Sequence, residues 1–177
     1  MKDIYRLDNL KIVVDNNVLQ DLYELSCISL LFEVAEVVLI PRDIFKEALP
    51  EVKEVLLNYS YKLCDIEDRK GYDILAILYQ NQKYKKLSHS DRVCVSIAGE
   101  QYMFCGSNDK PVRNACLELG IKHTGTLGIL GNAFYHKIIS KKQLQSIFEV
   151  LKSNQTTSYI SKDLIEDYLN QILDNLE

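Results

Sequence analysis

The stretch from Leu10 to Leu22 constrains this chain more than any other. Leu10-Lys11-Ile12-Val13-Val14 is apolar, β-branched and too short for a helix, which predicts a buried parallel strand. It ends on Asp15-Asn16-Asn17, and helical spacing of apolar residues (Val18, Leu19, Leu22, Leu25) begins at once. A strand that runs straight into a helix is the building unit of an open α/β sheet, whose carboxyl rim is where ligands and chemistry collect. Asp15 or Asn16 can equally be a plain helix cap, since short polar side chains favour that position.

The same unit recurs. Glu36 to Ile40 reads as a second strand, and Pro41 suits the first turn of a following helix that turns Ile44, Phe45 and Ala48 inward and ends at Pro50. Val52, Val55 and Leu56 suggest one more short helix, and residues 60–66 a short edge strand or an extended connection. A helix around Ile74 to Leu78 runs out in a basic stretch, Asn81 to Lys86; Ser88-His89-Ser90-Asp91 then has the hydroxyl cap and first-turn acid of a new helix start. Tyr102 to Gly106 is a third strand ending in Ser107-Asn108-Asp109, and Ile121 to His123 a fourth, with a helix over 110–119 between them that stops at Gly120. A glycine-bearing helix follows over 124–138, and two amphipathic helices close the chain. The first has Ser140 and Gln143 as a capping box and a stripe of Leu144, Ile147, Phe148 and Leu151; the second carries Ile165, Tyr168, Leu169, Ile172 and Leu176. Residues 16–34 are expected to form one long, well-covered helix. The alternation predicts a three-layer α/β/α fold around a central parallel sheet: one domain over residues 1–177, with 140–177 packed on it as a helical extension.

Composition narrows the function. The five cysteines are scattered with no CxxC or Cys/His pair, which argues against a zinc site and for reduced thiols in the cytoplasm. No secretory signal is read at the amino terminus, and the longest apolar run, Ile28 to Ile40, is broken by Glu33 and Glu36 and is too short for a membrane span. A net charge of −4 provides no global field for nucleic acid, although a local basic patch can sit beside an acidic site.

If the first and third strands are parallel and central, Asp15 and Asp109 share one rim, which Glu47 can reach, while nothing local directs Asp91 towards it. Asp15 and Asp109 follow similar strands, Glu47 lies in the helix leaving the second strand, and Asp91 is at a helix start. Taken singly, each has a plainer account: a cap, a dipole-complementing acid, a partner for Arg113, a solvated helix residue. Taken together they need a cation or shared protons, because two carboxylates 4 Å apart repel by roughly 1 kcal/mol in water and about 4 kcal/mol at an effective dielectric of 20. All-oxygen ligands favour Mg²⁺ or Mn²⁺, and a carboxylate-held Mg²⁺ that keeps its waters can activate one against a phosphodiester.

In this order, Ile12-Val13-Val14-Asp15-Asn16-Asn17-Val18-Leu19, Ile40 to Leu49 with Glu47, Leu87 to Asp91, Cys105-Gly106-Ser107-Asn108-Asp109-Lys110 and Gly125 to Leu130 resemble the PIN-domain nucleases, in particular the toxin halves of toxin–antitoxin pairs. The resemblance implies a metal-dependent endoribonuclease with Asp15, Glu47, Asp91 and Asp109 as catalytic and metal-holding acids, and Asn17 and Ser107 as polar neighbours of the first and last. It departs at Asn16, where Thr or Ser is common, and at Arg113, where some relatives carry another acid. Lys83, Lys85, Lys86, Arg92 and Lys110 are the candidates for holding an RNA backbone. The resemblance further suggests an antitoxin partner and a homodimer, and surplus apolar residues on helices 16–34 and 72–80 support the dimer independently. The competing reading is a non-catalytic PIN-like module that binds RNA or protein. A nucleotide-binding fold is disfavoured, because no glycine-rich loop follows the first strand.

Overall fold

The computed structural model describes residues 7–153, 156–158 and 160–174. Five parallel strands form one sheet: β1 (Leu10–Val14), β2 (Ala35–Pro41), β3 (Lys62–Cys64), β4 (Phe104–Gly106) and β5 (His123–Thr124), in the order β3-β2-β1-β4-β5. β1 is central because it is apolar throughout except for Lys11: Leu10, Ile12, Val13 and Val14 are all fully buried. The run at 60–66 resolves as the edge strand β3, which pairs Leu63 with Ile40.

The helices α1 (Asn16–Glu24), α2 (Ser29–Val34), α3 (Arg42–Glu47) and α4 (Pro50–Leu56) join the first three strands. α5 (Arg69–Gln80), α6 (His89–Glu100) and α7 (Lys110–Glu118) serve the other half of the sheet. Right-handed crossovers place the two groups on opposite faces. α6 packs on β1, β2 and β4, and α8 (Thr126–Tyr135) packs with α1 and α2 on the far side. α9 (Lys141–Lys152) and α10 (Lys162–Asp174) pack on each other and on α8. Their apolar stripes do so through Leu144, Phe148, Leu151, Ile165 and Ile172, all buried; Leu176 lies outside the described residues.

Three local expectations need correction. Residues 16–34 are two helices, because Ser26 takes a left-handed φ of 53° and the chain turns over Leu25–Ile28. Leu25, Cys27 and Ile28 remain buried through the turn, so the apolar pattern hides the break. Pro50 opens α4 rather than ending α3: its missing N–H falls where a helix has none to satisfy. Pro41 is the last residue of β2 and stands just outside α3.

The turn after α7 uses Gly120 at φ 67°, the left-handed residue that terminates a helix. At Gly106 the need is space: a Cβ there would lie 2.7 Å from Ile12 Cδ1. That closeness lets β4 sit tightly against β1 at their carboxyl ends. The described residues contain no helix long and apolar enough to cross a membrane.

Candidate active site

β1 feeds its helices to one side of the sheet while β4 pairs on the other, so the carboxyl ends of β1 and β4 flank the switch point where open α/β sheets bind ligands. Register does the rest. Val14 pairs with Gly106, and Asp15 N–H continues the ladder to the Gly106 carbonyl at 2.8 Å. Asp15 therefore stands level with Ser107, whose hydroxyl donates to its Oδ2 at 2.8 Å. Asn17 Nδ2 donates to the same oxygen at 2.6 Å and lies 3.2 Å from Ser107 Oγ, and the Asn16 N–H donates to Oδ1 at 2.7 Å. The two polar neighbours implied by the resemblance are both in contact with this carboxylate. Asp15 is only 5% exposed and caps α1 as well, so the cap and the site residue are one and the same.

Burial pushes the Asp15 carboxyl up to about 6, helped by the charges of Asp91 and Asp109 and opposed by the Ser107 and Asn16 hydrogen bonds. Asp109 is also raised, by burial and by Asp91, with Arg113 pulling the other way. The Arg113 guanidinium itself donates to the Asn108 carbonyl at 2.7 Å. Asp91 completes the capping box of α6, with Asp91 N–H donating to Ser88 Oγ at 3.1 Å and Ser88 N–H to Asp91 Oδ2 at 2.7 Å. Glu47, at the exposed end of α3, accepts a 2.6 Å hydrogen bond from Ser90 Oγ, which ties it to the same helix start. The charge of Asp91 acts on both Asp15 and Asp109, and Ser90 ties Glu47 to the same helix start.

The basic candidates divide. Lys83 is paired with Glu118, and Arg92 donates to the Tyr84 carbonyl at 3.1 Å with its guanidinium 4.3 Å from the Tyr79 ring centre. Lys85, Lys86 and Lys110 are exposed and make no ion pair among the described residues.

A second acidic centre was not visible in the sequence. Asp21, one and a half turns into α1, is 5% exposed, and its Oδ2 accepts from Asn108 Nδ2 at 2.7 Å, Ser158 Oγ at 2.9 Å and Thr126 Oγ1 at 3.2 Å. Burial, helped by the charge of Glu24, raises it to about 6 against those three bonds. Asn108 is held on every side: its N–H donates to Asn17 Oδ1 at 3.0 Å and its Oδ1 accepts from Thr126 N–H at 2.9 Å. The residue before Asp109 is thereby cross-linked to α1 and α8. A helical pattern with one acid in it offers no sign of partners lying 87 to 137 residues away.

Whether these residues suit a divalent cation can be asked of their chemistry. No three His, Cys, Asp or Glu side chains among the described residues lie close enough to hold one ion together. The donors are nonetheless all oxygen, Asp15 has no cationic partner among the described residues, and Asn16 Oδ1 is buried without a hydrogen-bond partner. Arg92 Nε, beside Asp91, is likewise a buried donor with nothing to bond. Such orphans cost roughly 1–3 kcal/mol each. A spare acceptor on the residue that follows Asp15 fits a hard cation and its water shell, and the spare donor of Arg92 fits an anion.

No curated protein matches the chain. A family model of the PIN domain matches residues 11–174, which takes in all five strands but for one residue and the last described helix. PIN domains are in general nucleases that use divalent metal ions. With β1 and β4 presenting Asp15 and Asp109 at the switch point, and that match along nearly its whole length, the chain belongs to the PIN-domain family.

Proposed function

We propose that this protein is an endoribonuclease that hydrolyses RNA phosphodiester bonds with Mg²⁺ or Mn²⁺. The observation that carries the reading is Asp15: a carboxylate at the switch point, raised by burial and by two further acids, with no cationic partner among the described residues. Asp15 and Asp109 are the principal ligands, with Asp91 and Glu47 binding directly or through water. When bound, the ion polarises the phosphoryl oxygen and lowers the pKa of an attacking water. The chain's own residues prepare the rest. Ser107 and Asn17 fix the Asp15 carboxylate in one orientation, the Ser88 cap fixes Asp91, and Ser90 holds Glu47 towards them. Preorientation of this kind spares the reorganisation that flexible acids would need at the moment of reaction.

The motif order further suggests the toxin half of a toxin–antitoxin pair, acting in the cytoplasm. A neighbouring reading frame for a small DNA-binding protein is the observation that would support this. A homodimer fits the α5 surface, where Tyr72, Ile77 and Tyr79 are 45–56% exposed; the surplus on α1 and α2, by contrast, is largely covered within the chain.

The alternative, a non-catalytic binding module, draws on one observation, that no three acids among the described residues converge tightly enough to hold an ion as they stand. Incubating the protein with single-stranded RNA separates the two. Cleavage that needs Mg²⁺ or Mn²⁺ and vanishes in Asp15→Asn supports the nuclease, and intact RNA under both metals supports the module.

A further inference from the structure

Beside the acids, α7 and the segment leading into α6 enclose a groove of about 410 Å³, in the range of a small-molecule site. One face of α7 supplies Lys110, Asn114 and Glu118, spaced by four residues and so stacked one above another along roughly 12 Å of helix. Lys86 faces them from the other wall, and Leu87, Pro111 and Ala115 make part of the lining apolar.

The charges are graded along this groove. Lys110 follows Asp109, and Lys86 precedes the Ser88 cap by two residues, so both stand at the end nearest the acids. Neither has an ion-pair partner among the described residues. The far end is already neutral: Glu118 is held by Lys83 and accepts from the Tyr84 hydroxyl at 2.9 Å. Between the ends is Asn114, an exposed amide with no hydrogen bond to the described residues. It lies one helical turn, about 5–6 Å, from Lys110.

We infer that this groove is a single-nucleotide subsite for single-stranded RNA: Lys86 and Lys110 hold the phosphate next to the scissile one, and Asn114 reads the base. The lysine and the amide lie one turn apart on one face of α7, so that a nucleotide whose phosphate meets Lys110 can turn its base towards Asn114. An unstacked base can lie against half-buried Pro111, with Leu87 and Ala115 closing the floor beneath it, and the amide offers an adjacent donor and acceptor, the pair that distinguishes one base edge from another. The two lysines confer affinity without sequence preference, and Asn114 confers preference with little affinity. The inference rests on the nuclease reading only for the identity of the bond cut.

Binding separates it from that reading. Fluorescein-labelled RNA pentamers differing at one base are titrated against the Asp15→Asn protein by fluorescence anisotropy across a salt series. Lys86→Ala with Lys110→Ala should weaken all pentamers about tenfold and flatten the salt slope by roughly 1.4, the value for two lost phosphate contacts on a single strand. Asn114→Ala should keep that slope and mean affinity while the spread between bases collapses. An unchanged salt slope in the double variant, or a base preference that survives Asn114→Ala, overturns the subsite. Wild-type protein with Mn²⁺ is scored for cleavage of the same pentamers. Tight, base-selective binding without cleavage would defeat the nuclease and leave the subsite standing.

Discussion

Asp15 and Asp21 are six residues apart, equally buried at 5% exposure, and both raised to about 6. Their company differs. Around Asp21 are donors from Asn108, Thr126 and Ser158, and the carboxylate is satisfied where it stands. Around Asp15, two donors and a backbone N–H are offset by the charges of Asp91 and Asp109. Burial and a shifted carboxyl therefore do not by themselves mark a reactive acid. The balance of the neighbours does: Asp21 sits in a structural knot of three side-chain donors with one acid, Glu24, nearby, whereas Asp15 faces two acids and has no cationic partner among the described residues.

One substitution made at both places is the severest test of that contrast. Asp15→Asn should cut RNA cleavage by about a hundredfold or more, a loss of several kcal/mol of transition-state stabilisation, while the melting temperature holds or rises. Asp21→Asn keeps an oxygen where all three donors point, and should leave cleavage within about threefold of wild type. Equal losses in a gel-based cleavage assay would erase the distinction.

The pH dependence should sharpen it. Both acids bind a proton more readily in the folded chain than at the ordinary 3.8. For Asp15 this contribution to stability is complete below about pH 3.8 and is lost as pH rises through about 6. The full swing is of the order of 3 kcal/mol. In metal-free buffer, Asp15→Asn should match wild type near pH 4 and melt progressively higher than it towards pH 7. A constant offset across that range would show that Asp15 does not titrate as its surroundings dictate.

Smaller, and aimed at the acids around Asp15, is the response to metal. Mn²⁺ or Mg²⁺ binding only the native state should add roughly 1.4 kcal/mol at ten times its Kd, seen as a rise in melting temperature. The rise should shrink in Asp109→Asn and persist in Asp21→Asn. Identical shifts in all three proteins would place the ion away from the rim.

How far the sequence could carry these conclusions depends on the distance between cause and effect. Strand β1 and its acid were legible because burial, strand length and the helix start are written within thirteen residues. The Ser88 and Ser140 capping boxes were legible for the same reason, since each closes over three residues. The break at Ser26 was not, because a non-glycine residue in a left-handed conformation leaves no mark while the apolar spacing runs on through it. Pro50 was read as a stop when it is a start, since one missing N–H serves either role. Of the basic residues, Lys83 and Arg92 resembled Lys86 and Lys110 until Glu118 and Tyr84 arrived from other elements to engage them. The Asp21 knot, tied across most of the chain, had no local trace at all.

The capping box at the start of α6 gives the site a readout of its own. One Asp91 oxygen already belongs to the Ser88 amide at 2.7 Å, so an ion that drew this carboxylate away would leave that N–H open to water. The Ser88 amide proton is thus a gauge of occupancy sitting outside the reaction. Its exchange with solvent deuterium should quicken on loading if the ion competes for that oxygen, and slow if the ion takes the other and stiffens the cap. Either change, set beside an unmoved amide at Ser140 in the remote box of α9, would report metal at the rim without cutting a single bond of RNA.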